Sequence, residues 1–258
     1  MKIYLLSYTK DPLKSIASAI LSLGIGKGVT NLDNITREEA IDAFKDTCKS
    51  KLDSPLEFAS FNFYFEDVPI FLLRELIRHR VGCSYAEQSL RFAVLDENIV
   101  DKFDPNFVKS VDTPEKRKEY FETLRLITKQ YKNLIDMGIE VQDARNVLGV
   151  WVPTHITTGF TYRALRDILA LRQTSQAHPA WQDAVKQIKN LIEKVDPILN
   201  EELKDICLLS GRCTWKSKLD RNCDLCEKRF GEKTHVHKYD LYTWDGQPQC
   251  SCGVLKIN

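Results

Sequence analysis

The sequence predicts an α/β (α+β) protein, with a central mixed sheet flanked by long helices and a small Cys-rich C-terminal extension. Three observations carry this. Two β-rich segments, "KIYLLSY" (2–8) and "FASFNFYFED" (58–67), alternate apolar with small or polar residues, the pattern of strands with one buried face. Several longer segments are amphipathic with helical spacing and carry start and stop signals. The long amphipathic segments stop near residue 205, which divides the chain into a domain over 1–205 and an extension over 206–258.

In chain order, "KIYLLSY" is the opening strand. "DPLKSIASAILSLG" (11–24) follows as a helix, with Asp11 as N-cap, Pro12 in the first turn and Gly24 at the stop. "NITREEAIDAFKDTCKS" (34–50) is a second helix, in which Thr36 and Glu39 have capping-box spacing. After the aromatic strand, Asp67 and Pro69 open a helix whose Ile70, Leu73 and Ile77 form an apolar stripe. Arg74 and Arg78 fall one turn apart on its flank, and Gly82 marks its exit. "TPEKRKEYFETLRLITKQYKNLIDMG" (113–138) is a strong capped helix, and "PTHITTGFTYRALRDILALR" (153–172) and "HPAWQDAVKQIKNLIEKV" (178–195) read as two more.

Composition bounds the function. A chain of 258 residues, 43% hydrophobic, can bury a sizeable core. A net charge of +1 gives no polyanion-coating surface, so phosphate binding has to come from local clusters. No apolar run approaches the roughly 18–20 residues that span a bilayer, and the charged start does not resemble a secretory signal. The chain therefore reads as cytoplasmic with no membrane partner, and its eight cysteines as thiols or metal ligands rather than a disulfide framework.

The strongest local cluster is "RELIRHRVGCSYAEQSLRF" (74–92), with four arginines and a histidine. Arginine clamps phosphate with a planar fork and keeps its charge at working pH. The plain alternative is a solvated helix face on which Arg74, Arg78 and Arg80 pair with Glu75 and Glu87. The order of residues within the run decides between them. "RHRVGCSYAEQSLRF" resembles the signature of the flavin-dependent thymidylate synthases: Arg-His-Arg, about seven residues, then Ser, a spacer, Arg and an aromatic. "VPIFLLRELIRHR" (68–80) resembles the family's signature helix, "SPLEFASFNFYF" (54–65) the strand before it, and "ARNVLG" (144–149) its Ala-Arg-x-x-Leu-Pro segment. "YRALRDILALRQTSQAHPAWQ" (162–182) resembles its late helix. The similar segments span about residues 1–200.

The resemblance implies a homotetramer with active sites between subunits, binding FAD and dUMP, with methylenetetrahydrofolate and NADPH as co-substrates. It implies flavin contacts for Arg78, His79, Arg80, Glu87, Arg163 and Asp167, with Thr30 meeting flavin phosphate. It implies nucleotide contacts for Arg74, Glu75, Gln88, Ser89, Arg91 and Arg145, with Arg91 and Arg145 as phosphate clamps from a neighbouring subunit. Arg172 matches the arginine that holds the pyrimidine, where a fixed cation stabilises charge developing on the ring. Ser89 is the second catalytic group, as a hydrogen-bond donor, because no His/Asp pair stands ready to activate it. Cys83 reads as a small packing residue, and the cofactor chemistry requires no covalent cysteine. Taken alone, Arg163 and Asp167 would be a surface ion pair one turn apart.

The sequence departs from the family pattern in four places. Eight residues, not seven, separate Arg80 from Ser89; Glu75 stands where the family has glutamine; Phe58 replaces a histidine; and "AHPAWQ" replaces an "AQ-x-E" patch. A sister reaction is therefore an alternative, either hydroxymethylation at C5 or action on UMP or dCMP. The extension adds "CDLC" and "CSC", so Cys223, Cys226, Cys250 and Cys252 could form a zinc site. Reduced thiols in a small β-rich extension are the other reading. Nine Lys or Arg against six Asp or Glu over residues 212–256, with interspersed aromatics, make nucleic-acid binding the competing function of another class, though the bias is small.

Overall fold

The computed structural model describes residues 1–23, 29–173, 177–206, 209, 239–240 and 249–250. Strand β1 (Lys2–Tyr8) leads to α1 (Pro12–Leu23) and α2 (Arg37–Ser50), then to β2 (Ser60–Pro69) and the short α3 (Ile70–Leu76). Next come β3 (Cys83–Glu87), α4 (Pro114–Asp136), α5 (Val141–Ala144), β4 (Pro153–Thr161), α6 (Tyr162–Arg172), α7 (Pro179–Val195) and α8 (Pro197–Glu201). Two-residue strands β5 (Tyr239–Asp240) and β6 (Gln249–Cys250) pair in the extension.

The α/β class is as the sequence predicts, but the four-stranded sheet, in order β1-β2-β4-β3, is antiparallel throughout rather than mixed. The reason is topological. β2 and β3 run in the same direction on either side of α3, and β4, arriving about 70 residues after β3 in the chain, inserts between them. Each ladder is therefore antiparallel even though β2 and β3 point the same way.

Helix starts follow the predicted chemistry where the caps are local. Thr36 Oγ1 accepts from the Glu39 N–H at 3.1 Å while Glu39 Oε2 accepts from the Thr36 N–H at 3.0 Å, the reciprocal capping box. Thr113 caps α4, and the Thr161 hydroxyl caps α6 by accepting from the Ala164 N–H. Asp11 occupies the predicted N-cap position, in an unusual backbone conformation. It sits at a positive φ of 47° and starts α1 through its carbonyl, which accepts from the Ser15 N–H at 2.9 Å.

The segment 153–172, read as one helix, is a strand followed by a helix. "PTHITTGFT" is rich in β-branched residues, which favour a pleated, half-buried surface, and it forms the centre of the sheet. Helical spacing takes over only at Tyr162. The signature helix is also shorter than predicted, ending at Leu76, so Arg78 lies in the turn beyond and does not stack on Arg74.

One sheet face is the core. Phe61, Phe63 and Phe65 of β2 are fully buried beside Ile156 and Phe160 of β4. Leu165, Ile168 and Leu169 of α6 and Trp181, Ala184, Ile188 and Ile192 of α7 belong to the same buried cluster. The Tyr162 hydroxyl, buried with its ring, donates to the Leu199 carbonyl at 2.7 Å. The other face, with Asn62, Ser84, Ala86 and Thr157, is open. Phe63→Ala should cost about 3–5 kcal/mol, since it removes a ring from the middle of this face. Denaturant unfolding checks this, and a loss under about 1 kcal/mol would show that the face is loosely packed.

Candidate active site

The signature Arg-His-Arg occupies a tight turn between α3 and β3. The His79 N–H donates to the Leu76 carbonyl at 3.1 Å, and Gly82 sits at φ +68° where the chain enters β3. A Cβ on Gly82 would lie 2.4 Å from Thr161 Oγ1, so both backbone angle and space call for glycine. Tyr85, two residues into β3, folds its ring back under the turn. Its hydroxyl lies 2.7 Å from the His79 carbonyl and 3.0 Å from that of Leu76, sharing one proton between two acceptors. Burial raises the Tyr85 pKa, so this donor keeps its proton.

The end of α3 and this turn hold their arginines outward. Arg74, Arg78 and Arg80 are exposed and make no side-chain hydrogen bond or ion pair with a described residue. The alternative in which they pair with Glu75 and Glu87 does not hold, because Glu75 is engaged elsewhere. Its Oε2 accepts from Arg172 Nη1 at 2.7 Å and from the Trp181 indole N–H at 2.8 Å. Sequence reasoning missed Trp181. Its only signal was the altered "AHPAWQ" stretch.

His79 shares this neighbourhood. Burial, and then the positive charge of Arg172, hold its pKa below the ordinary histidine value, with Glu75 opposing. The imidazole is therefore neutral at pH 7, and its buried Nε2 has no hydrogen-bond partner. Glu87 and Asp167 reach solvent, but protein on one side of each carboxyl raises its pKa by desolvation.

The predicted phosphate clamps converge on the start of α5. Arg91 Nη2 donates to Gln142 Oε1 at 3.2 Å, and Arg145 Nε donates to the Gln142 carbonyl at 3.2 Å. One residue thus gathers two cations far apart in sequence. Ser89 Oγ accepts from the Arg91 N–H at 3.3 Å, while Gln88 is exposed and ties its N–H to the His155 carbonyl at 2.9 Å.

Arg163 pairs neither with Asp167 nor with solvent alone; it donates to Glu57 Oε1 at 2.6 Å. Asp167 lies 3.9 Å from Arg166, whose guanidinium is buried and paired with Asp53 at 2.7 Å. Thr30 is exposed at the edge of the described chain. On the open sheet face, starting at Gly82 where the turn enters β3, lies a groove of about 520 Å³, lined by Asn62, Gly82, Ser84, Ala86, Thr157 and Gly159 among others.

Neither Cys48 nor Cys83 is set up as a nucleophile. Burial pushes the Cys48 thiol up to about 11, and burial also raises Cys83, so both remain protonated. Of the candidate zinc ligands, Cys223, Cys226 and Cys252 lie outside the described residues, and Cys250 sits in β6 opposite Tyr239. Most of the extension considered for nucleic-acid binding also lies outside them. Among the described residues no group of three or more His, Cys, Asp or Glu could hold a metal, and no helix is long and apolar enough to cross a membrane.

Residues 4–198 match the family model described as thymidylate synthase complementing protein. The chain belongs to that family. It is 30% identical to the flavin-dependent thymidylate synthase of Geobacter sulfurreducens over 215 residues, 83% of this chain and 90% of that protein. It is 28% identical to the flavin-dependent thymidylate synthase of Pyrococcus furiosus over 247 residues, 92% and 99% of the two chains. Its fold is similar to that of a UMP/dUMP methylase, PolB from Streptomyces cacaoi, solved with 5-Br dUMP. The TM-score there is 0.63 at 21% identity, over 78% of this chain and 93% of that one.

Two expectations follow from the geometry. Tyr85→Phe should destabilise the protein by about 0.5–1.5 kcal/mol by removing the hydroxyl donor from the part-buried His79 carbonyl, the Leu76 carbonyl keeping the His79 N–H, and should speed amide exchange at His79; unchanged exchange would mean the turn holds itself. Because the folded state keeps His79 below its unfolded pKa of about 6.5, the folded state binds fewer protons. Stability is then full above that pH and falls as pH drops through the folded value. The burial-depressed His178 acts in the same direction, so the His79 share is read from the difference between wild type and His79→Asn, which should have the shallower loss between pH 7 and pH 5.

Proposed function

We propose that this protein is a flavin-dependent enzyme that methylates C5 of dUMP to give dTMP, with methylenetetrahydrofolate as one-carbon donor and NADPH as reductant. One observation supports this beyond family membership. Arg74 near the end of α3, and Arg78 and Arg80 in the signature turn, are exposed and have no side-chain partner among the described residues, while Arg172, the cation proposed for the pyrimidine, is held by its own carboxylate. Exposed cations that no protein anion neutralises suit anionic ligands rather than a structural network.

The residues fit FAD. A dinucleotide needs cations for its pyrophosphate and a cleft whose walls allow close approach. Arg78 and Arg80 meet the first need, and the glycine-containing groove meets the second. Bound there, the flavin supplies one-carbon transfer and hydride chemistry. The protein's share is binding, orientation and field. Arg78, His79, Arg80, Arg163, Glu87, Asp167 and Thr30 serve the flavin in this reading. Arg91 and Arg145, both tied to Gln142, clamp the nucleotide phosphate, with Arg74, Glu75, Gln88 and Ser89 lining the nucleotide side.

Arg172 provides the electrostatic step. C5 of neutral uracil is a weak nucleophile and becomes a strong one as the ring takes on enolate character, with negative charge on its carbonyl edge; a guanidinium already fixed beside that edge stabilises the enolate-like form without reorganising. A neutral His79 adds no second cation to the pocket. Val81, Phe92 and Val94, at 78%, 81% and 57% exposure, crowd the signature loop with apolar surface. That suits a neighbouring subunit covering this loop, as in the homotetramer that the family resemblance implies.

The test is anaerobic incubation of the protein with FAD, NADPH, methylenetetrahydrofolate and dUMP, with UMP and dCMP in parallel and products read by mass. A methyl increment on dUMP is expected; a hydroxymethyl increment, or turnover of UMP or dCMP alone, would overturn the reading. Arg172→Ala should abolish turnover while keeping the fold and most FAD binding, and full activity in that variant would remove Arg172 from its role.

A further inference from the structure

Trp181 belongs to the stretch in which this sequence leaves the family pattern, and the proposed function gives it no task. It is fully buried, in the first turn of α7. That turn is rigidly begun: Pro179 fixes the backbone, and His178 Nδ1 accepts from the Ala180 N–H at 3.2 Å. From this anchor the indole does two things. Its N–H donates to Glu75 Oε2 at 2.8 Å, and its ring lies 5.0 Å from the Arg172 guanidinium carbon.

The same Glu75 oxygen takes the Arg172 Nη1 donor at 2.7 Å, so the three side chains close a triangle. Arg172 needs such a frame. It is the last residue of α6, on a long flexible stem, and its buried Nε has no hydrogen-bond partner. Two donors on one oxygen fix the carboxylate, the carboxylate fixes Nη1, and the indole face fixes the guanidinium plane. What is left is the Nη2 edge, which makes no hydrogen bond to a described residue.

We propose that Trp181 is a positioning residue for Arg172, holding the guanidinium so that its Nη2 edge meets the pyrimidine. The inference rests on the reading that Arg172 binds the pyrimidine ring. It also gives Glu75 a different part from a phosphate contact. Its carboxylate is spent on the arginine, which removes the repulsion that an acidic residue would otherwise bring to a nucleotide site.

The experiment is titration of dUMP into the full-length, FAD-loaded protein, followed by flavin absorbance. Wild type, Trp181→Phe, Arg172→Ala and the double variant are compared. Trp181→Phe keeps bulk and a ring face but loses the N–H, and should weaken dUMP by about tenfold with FAD affinity unchanged. In the Arg172→Ala background the same change should add nothing, because there is no guanidinium left to position. Equal weakening in both backgrounds, or none in wild type, overturns the proposal and leaves Trp181 as core packing. If Arg172→Ala itself leaves dUMP affinity unchanged, the reading of Arg172 fails first, a result separate from the others. Should Trp181→Phe not fold, Glu75→Ala takes its place: dUMP about tenfold weaker, and no further loss with Arg172→Ala. Unchanged or tighter binding overturns the proposal in that arm.

Discussion

The β2–β4 ladder is the constraint on which the site depends. It pairs Ser60 with Thr161 at one end and Pro69 with Pro153 at the other. Because the two strands are antiparallel, the helices that follow them leave from opposite ends: α3 begins after Pro69, and α6 after Thr161. Their last turns meet, and the Arg172–Glu75 contact joins residues 97 apart in sequence. A slip of one residue in this ladder would turn Phe61, Phe63 and Phe65 to the open face, so core burial and site geometry are set by the same register.

The site is built largely by spending backbone groups locally and leaving side-chain cations free. The turn at Ile77–Gly82 satisfies itself through the His79 N–H and the Tyr85 hydroxyl, which lets Arg78 and Arg80 face outward without being needed for folding. Elsewhere charge is neutralised within the chain: Arg166 by Asp53, Arg163 by Glu57 and Arg172 by Glu75. The arginines thus divide into a buried or tethered set that fixes geometry and a free set suited to anions. The tethered ion pairs are partly solvated, so their value lies more in orientation than in stability.

The legible parts of the structure were those governed by short-range chemistry. The capping box at Thr36, the alternation of β2, the caps and length of α4 and the start of α7 at Pro179 all follow from residues within a few positions of one another. The segment 153–172 reads as a single helix from sequence because its apolar residues fit either period over a short window. The strand is settled by neighbours on both sides, β2 and β3, which no local pattern contains. The same holds for α3, whose predicted stripe ran to Ile77 and whose helix stops at Leu76, where Tyr85 captures the carbonyl.

The sequence by itself determined the fold class, most helices and which arginines are candidates to bind anions, because arginine spacing and the signature order are properties of the chain. Only the tertiary structure decided who neutralises whom. Glu75 lies next to Arg74 in sequence, yet it turns to Arg172; Arg163 passes over Asp167 for Glu57; and Trp181 enters the site from a stretch with no matching motif. Ion pairs are chosen by distance and desolvation in the folded state. Those quantities depend on how helices from opposite ends of one ladder come together.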